Sequence, residues 1–386
     1  MTVTGRLGYV GLKIEATQGT WLTPGYYMPC TKIDTEIVYD QLTDLSYRNN
    51  DSNLQGNYQG PGMSTVDLEV PAYPDSIGYF LRIIGPDTVT AGTTTTLSTT
   101  TVAGATSISV PVSIPLGTTV SIGTGATQEY FISGTPSGSG PYTIPVATPA
   151  TGGLTYGHTS GVAVATQTVH TFKQSSSVAK PTYSITEFNA YEVWGYPGCM
   201  LSDVSFKVDP KAVASIDGKF TGWIGALETA TPTFAEPSPL LGWQFTMTNA
   251  GAASTRGLSY TMDLKRPTEA IHASNGSQQP REIFSGVLDV DVSYSAIYEN
   301  DTDYNLYLQA LQGNPTSMVL TQPVGAGVDA GGCSLQLTTT VPAWTKGKPD
   351  ISGTYAKADF SISGIYNATD GGSVQAVLKN WTTTTY

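Results

Sequence analysis

Four short stretches of this chain alternate apolar and polar residues with a period of two, and they come in two successive pairs. In Val204-Ser205-Phe206-Lys207-Val208-Asp209 the apolar side carries Val204, Phe206 and Val208. Ser215-Ile216-Asp217-Gly218-Lys219-Phe220-Thr221 follows, with Ile216 and Phe220 on its apolar side. The second pair is Ser259-Tyr260-Thr261-Met262-Asp263-Leu264-Lys265 and Leu288-Asp289-Val290-Asp291-Val292-Ser293-Tyr294. Side chains repeat every two residues only in an extended strand. The alternation therefore predicts antiparallel strands with one face on a core and one face in water.

The rest of the sequence agrees with a mainly β fold. Only 12% of residues are charged, and the 42 glycines and 24 prolines favour tight turns over helices. A hydrophobic share of 39% suffices for a packed core, which excludes a wholly disordered chain. From Thr88 to Thr166 there is no Lys or Arg, and Glu129 is the one acidic residue. Within it, runs at 106–110, 118–122, 129–132 and 142–144 are separated by turn clusters such as Pro136-Ser137-Gly138-Ser139-Gly140. Strands at such regular spacing predict a small β-sandwich, inserted as residues 88–166 into a discontinuous core made of 1–87 and 167–386. The rival reading is a Thr/Ser-rich linker, and the β-branched and aromatic residues count against it. Two helices are expected. One runs from Pro74 to Ile84, with Ile77, Phe80, Leu81 and Ile84 on one stripe. The other runs from Asp301 to Gln312, with Tyr304, Tyr307, Leu308 and Leu311 on one stripe and Gly313 and Pro315 beyond it.

Charge and motifs narrow the function. A net charge of −12 opposes binding nucleic acid over the whole surface, although such a surface can still border DNA without holding it. Cys30, Cys199 and Cys333 are too few and too scattered for a disulfide framework and read as small buried apolar residues. His158, His170 and His272 stand apart from one another, outside any metal-type spacing, and read as surface residues. No nucleophile elbow, phosphate loop or zinc pattern occurs. Asp289 and Asp291 share one strand face, which is better explained as solvated surface than as a metal site. Asp301-Thr302-Asp303-Tyr304-Asn305 lacks the glycine and distal glutamate of a calcium loop and reads as a helix cap. Neither an enzyme nor a cofactor is expected.

The opening stretch, Met1 to Val10, lacks the order of a signal peptide, and no run approaches the ~20 apolar residues of a spanning helix. Without a secretory signal, the glycosylation triplets at Asn275, Asn367 and Asn380 carry no meaning. A soluble product of a cytoplasm, with no membrane contact, is the expectation. Long amphipathic strands leave open sheet edges, and joining edges with identical neighbours removes that liability. Head-to-tail joining closes into rings when the rotation allows it.

Several motifs, in order, resemble those of tail tube (major tail) proteins of long-tailed bacteriophages. They are Ile14-Glu15-Ala16-Thr17-Gln18-Gly19-Thr20 with Pro24, Tyr27-Met28-Pro29, Tyr58-Gln59-Gly60-Pro61 and Tyr73-Pro74-Asp75-Ser76-Ile77-Gly78-Tyr79. His170-Thr171-Phe172, Leu201-Ser202-Asp203-Val204-Ser205-Phe206 and Thr221-Gly222-Trp223 continue the series. The resemblance covers the core, and the insert looks like the Ig-like decorations of phage tail proteins. It implies a β-sandwich or half-barrel core with one or two flanking helices. Six copies would form a ring, with rings stacked into a tube for genome ejection and two hairpins per copy lining the channel. The channel-facing candidates are then Ser205, Lys207, Asp209, Asp217, Lys219, Thr261, Asp263, Lys265, Asp289, Asp291 and Ser293. Five Asp against three Lys make this face −2 per copy, mildly repelling phosphate. Outer surface is the rival assignment for the same face.

The resemblance also makes the polar segment from Gln41 to Met63 a loop reaching adjacent copies or the next ring. Its candidate contacts are Asp44, Arg48, Asn50, Asp51, Gln55 and Tyr58, and removing Asp51–Gln59 is expected to leave a folded subunit unable to polymerise. Implied partners are further copies of the chain, a tape measure protein and genomic DNA transiently in the channel, and tail-tip and terminator proteins at the ends. The place is the virion tail, assembled in the bacterial host cytoplasm. A surface adhesin or glycan-binding protein is the alternative, with Tyr130, Phe131, Tyr142 and Tyr156 of the insert as its recognition residues.

Overall fold

The four alternating stretches lie side by side in one antiparallel sheet of the computed structural model, which describes residues 8–49, 51–148, 153–229, 231–234, 238–249, 251–299, 302–308, 315–326, 330–368 and 371–386. The Val193–Val208 strand is the spine of this sheet. Its second half pairs with Ser215–Gly222 on one side and Gly257–Lys265 on the other, and Gly257–Lys265 pairs with Asp289–Ile297. The two predicted pairs are thus two hairpins that abut. Gly56–Pro71 and Lys32–Asp44 extend the sheet beyond the first hairpin. Lys357–Gly364 and Pro342–Asp350 extend it beyond the second, so the wall is eight strands wide. The first half of the spine pairs with Thr182–Phe188, which in turn pairs with Tyr9–Ile14.

Alternation decides which side of the wall is dry. Val204, Phe206, Ile216, Phe220, Met262, Leu264, Val290 and Val292 are all buried. They meet a second, seven-stranded sheet that includes Phe245–Asn249, Thr316–Thr321, Ser334–Thr339, Val374–Asn380 and Thr168–Lys173. Met318, Leu335, Leu337 and Leu378 of that sheet belong to the same continuous apolar cluster as the wall. Burying each such side chain stabilises by about 1.5–3 kcal/mol, and that gain fixes the register, because a one-residue slip would turn the apolar set outward. The result is a sandwich whose larger sheet curls as a half-barrel. Among the described residues strand makes up 53% and helix 4%, so the fold is mainly β.

The first helix is shorter than its sequence pattern. Ile77–Leu81 is helical, with Ile77, Phe80, Leu81 and Ile84 buried as the stripe requires. On either side the chain closes three-residue turns instead. Ser76 N–H donates to the Tyr73 carbonyl at 3.0 Å, and Ile84 N–H donates to the Leu81 carbonyl at 3.0 Å. Such i to i+3 bonds tighten helix ends and stop them. Gly85 then passes so close to the Lys173 carbonyl that an added Cβ would lie 1.9 Å from it. The second helix is Thr302–Leu308, with Tyr304 and Tyr307 half-buried. Asp301 and residues 309–314 lie outside the described residues, and with them the remainder of that expected helix and the Asp301 cap.

Residues 94–166 carry a six-stranded sheet with an apolar cluster of its own, centred on Ile108, Val110, Val120, Phe131, Ile144 and Val164. Ser107–Val110, Thr119–Ile122, Glu129–Ser133 and Tyr142–Thr148 fall on the four predicted runs. Thr94–Thr96 and Ala163–Thr166 carry too little apolar alternation to be read from the sequence, yet they pair with each other. The strands on either side of this module, Asp87–Thr90 and Thr168–Lys173, also pair, so the chain leaves and re-enters the main body at adjacent points.

Candidate assembly surfaces

The wet face of the wall is a continuous polar surface crossed by three rows of facing residues. One row runs Lys32, Glu69, Asp217, Ser205, Asp263, Asp291, Ser363. The next runs Asp34, Asp67, Lys219, Asp203, Lys265, Asp289. The third runs Ser215, Lys207, Thr261, Ser293, Ser361, Lys346. Directly opposed residues in a sheet share a face, so ten of the eleven residues singled out in the sequence come together here. Asp209 does not. It lies one residue past the end of its strand, where its carboxylate accepts the Lys211 N–H at 2.8 Å and so shapes a turn.

Sequence reading missed Asp34, Asp67, Glu69 and Asp203 on this face. Alternation in Lys32-Ile33-Asp34-Thr35-Glu36-Ile37 and Val66-Asp67-Leu68-Glu69-Val70 is the signal that marks three of them. The three rows hold eight carboxylates and five lysines, a net of −3. Local pairing tempers the charge. Lys207 contacts the Asp217 carboxylate, which raises the ammonium pKa above its ordinary value, and Lys219 lies 3.8 Å from Asp67. Asp263 and Asp291, by contrast, face each other directly, and Asp291 also accepts the Ser363 hydroxyl at 2.9 Å.

The segment expected as a loop from Gln41 to Met63 is instead the outer half of a long hairpin. Lys32–Asp44 and Gly56–Pro71 pair out to Asp44 opposite Gly56, which leaves residues 45–55 as the tip. Pairing gives the backbone internal partners that a loop of that length would lack. Contact with Ser215–Gly222 stops at Ser64, so the outer part stands beyond the wall as an arm. Gly62 N–H donates to the Gln278 carbonyl at 3.0 Å, and the Gln278 amide donates to the Gln59 carbonyl at 3.1 Å. These bonds tie the arm to the far end of the hairpin formed by Thr268–Ile271 and Glu282–Ser285.

At the arm tip, hydrogen bonds from Ser46 and the Arg48 guanidinium hold the Asp44 carboxyl below the ordinary carboxylate range. Gln55 N–H closes the turn on the Asp44 carbonyl, and Tyr58 stands opposite Leu42. Asp51 is exposed, and Asn50 lies outside the described residues. The apolar side chains Leu42, Leu45, Leu54 and Tyr58 are more than half exposed, and Tyr47 is wholly so. So many exposed apolar groups on one projection mark a contact surface.

Two histidines differ from expectation. His158 and His170 are buried, while His272 is exposed. Each buried ring is compensated by a carboxylate. His158 Nε2 lies 2.8 Å from Glu129, and His170 Nδ1 lies 2.9 Å from Asp87 with Nε2 3.0 Å from the Thr382 carbonyl. Cys199 and Cys333 are buried and Cys30 is half-buried, all three as free thiols. Among the described residues no group of three or more His, Cys, Asp or Glu is placed to hold a metal ion, and no helix is long and apolar enough to cross a membrane. Asp289 and Asp291 are both exposed on the wet face, and the side chains of Thr302 and Asp303 lie outside the described residues. The four aromatic residues of the module do not make a binding platform. Phe131 is fully buried, Tyr142 packs on the module's own core, Tyr156 is half-buried, and Tyr130 packs at a tilt against Trp381 of the main body with ring centroids 5.2 Å apart.

A half-barrel wall with one wet face, a projecting apolar-tipped arm and open edges defines a structural β subunit built to meet other subunits. The family model described as phage tail tube protein matches residues 5–364. The chain belongs to that family: it is a structural subunit of the tube in a phage virion's tail, and it self-assembles. No curated protein matches the chain.

Proposed function

We propose that six copies join edge to edge into a ring, that rings stack into a hollow tube, and that the wet face of the wall lines the channel. The observation that carries this reading is the abutting of the two hairpins, which makes a single polar surface with a dry reverse. A barrel wall needs that asymmetry. A net of −3 over the three rows repels phosphate weakly, so DNA slides past during ejection without being held. A tape measure protein occupies the channel before DNA does, tail-tip and terminator proteins close the ends, and assembly takes place in the bacterial host cytoplasm. The arm, with Arg48, Asp51 and Gln55 at its tip and Asp44 and Tyr58 on its strands, reaches the adjacent ring. Residues 88–166 form an inserted Ig-like domain on the outside of the tube. The chain has no catalytic role, and the adhesin reading is weakened because Phe131 is buried, Tyr142 packs on the module's core and Tyr130 packs on Trp381.

Electron microscopy of the purified protein tests the proposal. Six-fold rings or tubes are expected, with Asp263 and Asp291 on the inner wall in a reconstruction. A strictly monomeric protein at high concentration, or those carboxylates on the outer wall, refutes it.

A further inference from the structure

Three cations of this acidic chain converge where its charge is least expected. Arg82 follows the first helix, Lys180 lies near the end of the 174–181 loop, and Arg266 precedes the hairpin of Thr268–Ile271 and Glu282–Ser285. Together they line the inner end of an open cleft of about 800 Å³ between that loop and the hairpin base. No carboxylate lines the inner end. Glu15 and Glu282 line the wider mouth. Glu15 is already engaged, accepting from the Gly19 and Gly198 N–H groups and the Thr182 and Ser184 hydroxyls.

The cations are unequally satisfied. Arg266 spends its guanidinium on the carbonyls of Ile83, Ile84 and Gly286. Arg82 Nη1 donates to the main-chain oxygen of Tyr386 at 2.7 Å, but its Nε is buried without a hydrogen-bond partner. Lys180 donates to the Ser175 carbonyl at 2.9 Å. Burial and the repulsion of Arg266 and Arg82 pull its pKa down to about 8. A partly buried ammonium beside two guanidinium groups makes this part of the cleft positive.

The rim of the cleft supplies the second half of the recognition. Val178, Phe284 and Val287 are exposed there. DNA in the channel does not reach this site. Lys265 is on the wet face, so Arg266 after it points to the opposite side, as its bonds to Ile83 and Ile84 behind the sheet require. The chain's own arm does not reach it either. Residues 59–62 of the arm are held at Gln278, the far end of the hairpin, and the cleft is at the base. The arm tip offers the matching chemistry, with Leu45, Tyr47 and Leu54 exposed and the Asp51 carboxylate among them.

We propose that this cleft is the seat for the arm tip of a second copy of the chain, with Asp51 of that copy meeting Arg82 and Lys180 and its apolar side chains meeting Val178, Phe284 and Val287. This rests on the self-assembly described above and names the surface that receives the arm.

The test uses a cyclised peptide of residues 41–59 titrated into the full-length protein at pH 7. Saturable binding is expected. Lys180→Glu in the protein should weaken it at least tenfold, as loss of a charge-assisted contact does. An Asp51→Lys peptide should regain affinity for that variant. Raising the pH to about 9.5 should weaken wild-type binding as Lys180 loses its proton. Thermal unfolding of Lys180→Glu checks that the variant remains folded. Absent binding, or binding untouched by Lys180→Glu, overturns the proposal, and an oligonucleotide bound as tightly as the peptide overturns the choice of occupant. Peptide binding without tubes under any condition would keep the cleft and remove the tube reading. Tubes formed as readily by Lys180→Glu as by wild type would do the reverse.

Discussion

The wall and the 94–166 module treat charge in opposite ways. On the wall, eight carboxylates and five lysines lie on the wet face across the three rows, exposed or half-exposed, and the buried reverse is apolar. In the module the one acidic residue, Glu129, is 3% exposed and lies inside. It accepts the Thr155 N–H at 2.6 Å, the Tyr156 N–H at 3.0 Å and meets His158 at 2.8 Å. A solvated charge sets the field near a surface and contributes little to the fold, while a buried one is bound into the fold through every group that it satisfies. The difference separates a surface whose charges face outward from a module whose one carboxylate is bound into its interior.

The sharpest way to break the comparison is to exchange the two kinds of carboxylate. Glu129→Ala strands two amide groups and a buried imidazole, and should cost the module about 3–5 kcal/mol. Asp289→Ala on the wall should change stability by less than about 0.5 kcal/mol. Urea unfolding followed by tryptophan fluorescence and by hydrogen exchange within 94–166 reads both. Equal costs would erase the distinction.

A middle case sits where the module joins the body. Asp87 begins the strand that leads out, His170 lies on the strand that returns, and Thr382 belongs to the closing segment of the chain. Burial works against a charged His170, but the hydrogen bonds to Asp87 and Thr382 and the Asp87 charge outweigh it and raise the pKa above 6.5. With acceptors at both ring nitrogens, the imidazolium is the form that fits. Because the folded value is raised, the stabilisation is complete below about pH 6.5 and fades as pH climbs through the folded pKa. Unfolding midpoints should fall between pH 6 and 8.5. His170→Gln should flatten that slope and cost about 1.5–3 kcal/mol at pH 6. A slope unchanged in His170→Gln would assign the pH effect elsewhere.

Much of the fold was legible because a two-residue repeat has only one structural meaning. Ser215–Gly222 and Gly257–Lys265 fall within a residue or two of the predicted runs, and the apolar stripe of the first helix is buried as read. Three kinds of feature stayed hidden. The spine strand starts at Val193, eleven residues before its alternation, because both of its faces are covered there and burial on both sides removes the pattern. The arm reads as a loop because Gly, Asn and Gln predominate in it, and pairing along a hairpin exposed on both sides leaves no apolar periodicity. The buried histidines were invisible because their partners, Glu129 and Asp87, lie 29 and 83 residues away. The wall was the legible part of the candidate site. The cationic cleft was not, since Arg82, Lys180 and Arg266 meet only through the tertiary fold.

The smallest expected effect is also the most direct probe of what the wall is for. Asp263 and Asp291 face each other across two strands, and like charges directly opposed destabilise a sheet by roughly 0.2–1 kcal/mol. A subunit selected for stability alone would gain from replacing one of them. Asp263→Asn should therefore leave the fold intact or raise its stability by a few tenths of a kcal/mol, because the amide removes the repulsion and keeps the shape. In the proposed channel both carboxylates of the pair would also border a polyanion. The informative variant is then Asp263→Lys with Asp291→Lys, which turns two negative charges per copy into two positive ones. Tubes of that variant should still form, since the change is on the wet face, but they should retain DNA at low salt and release it as salt is raised. Retention that does not depend on salt, or equal passage in both tubes, would move these residues from the channel to the outer wall.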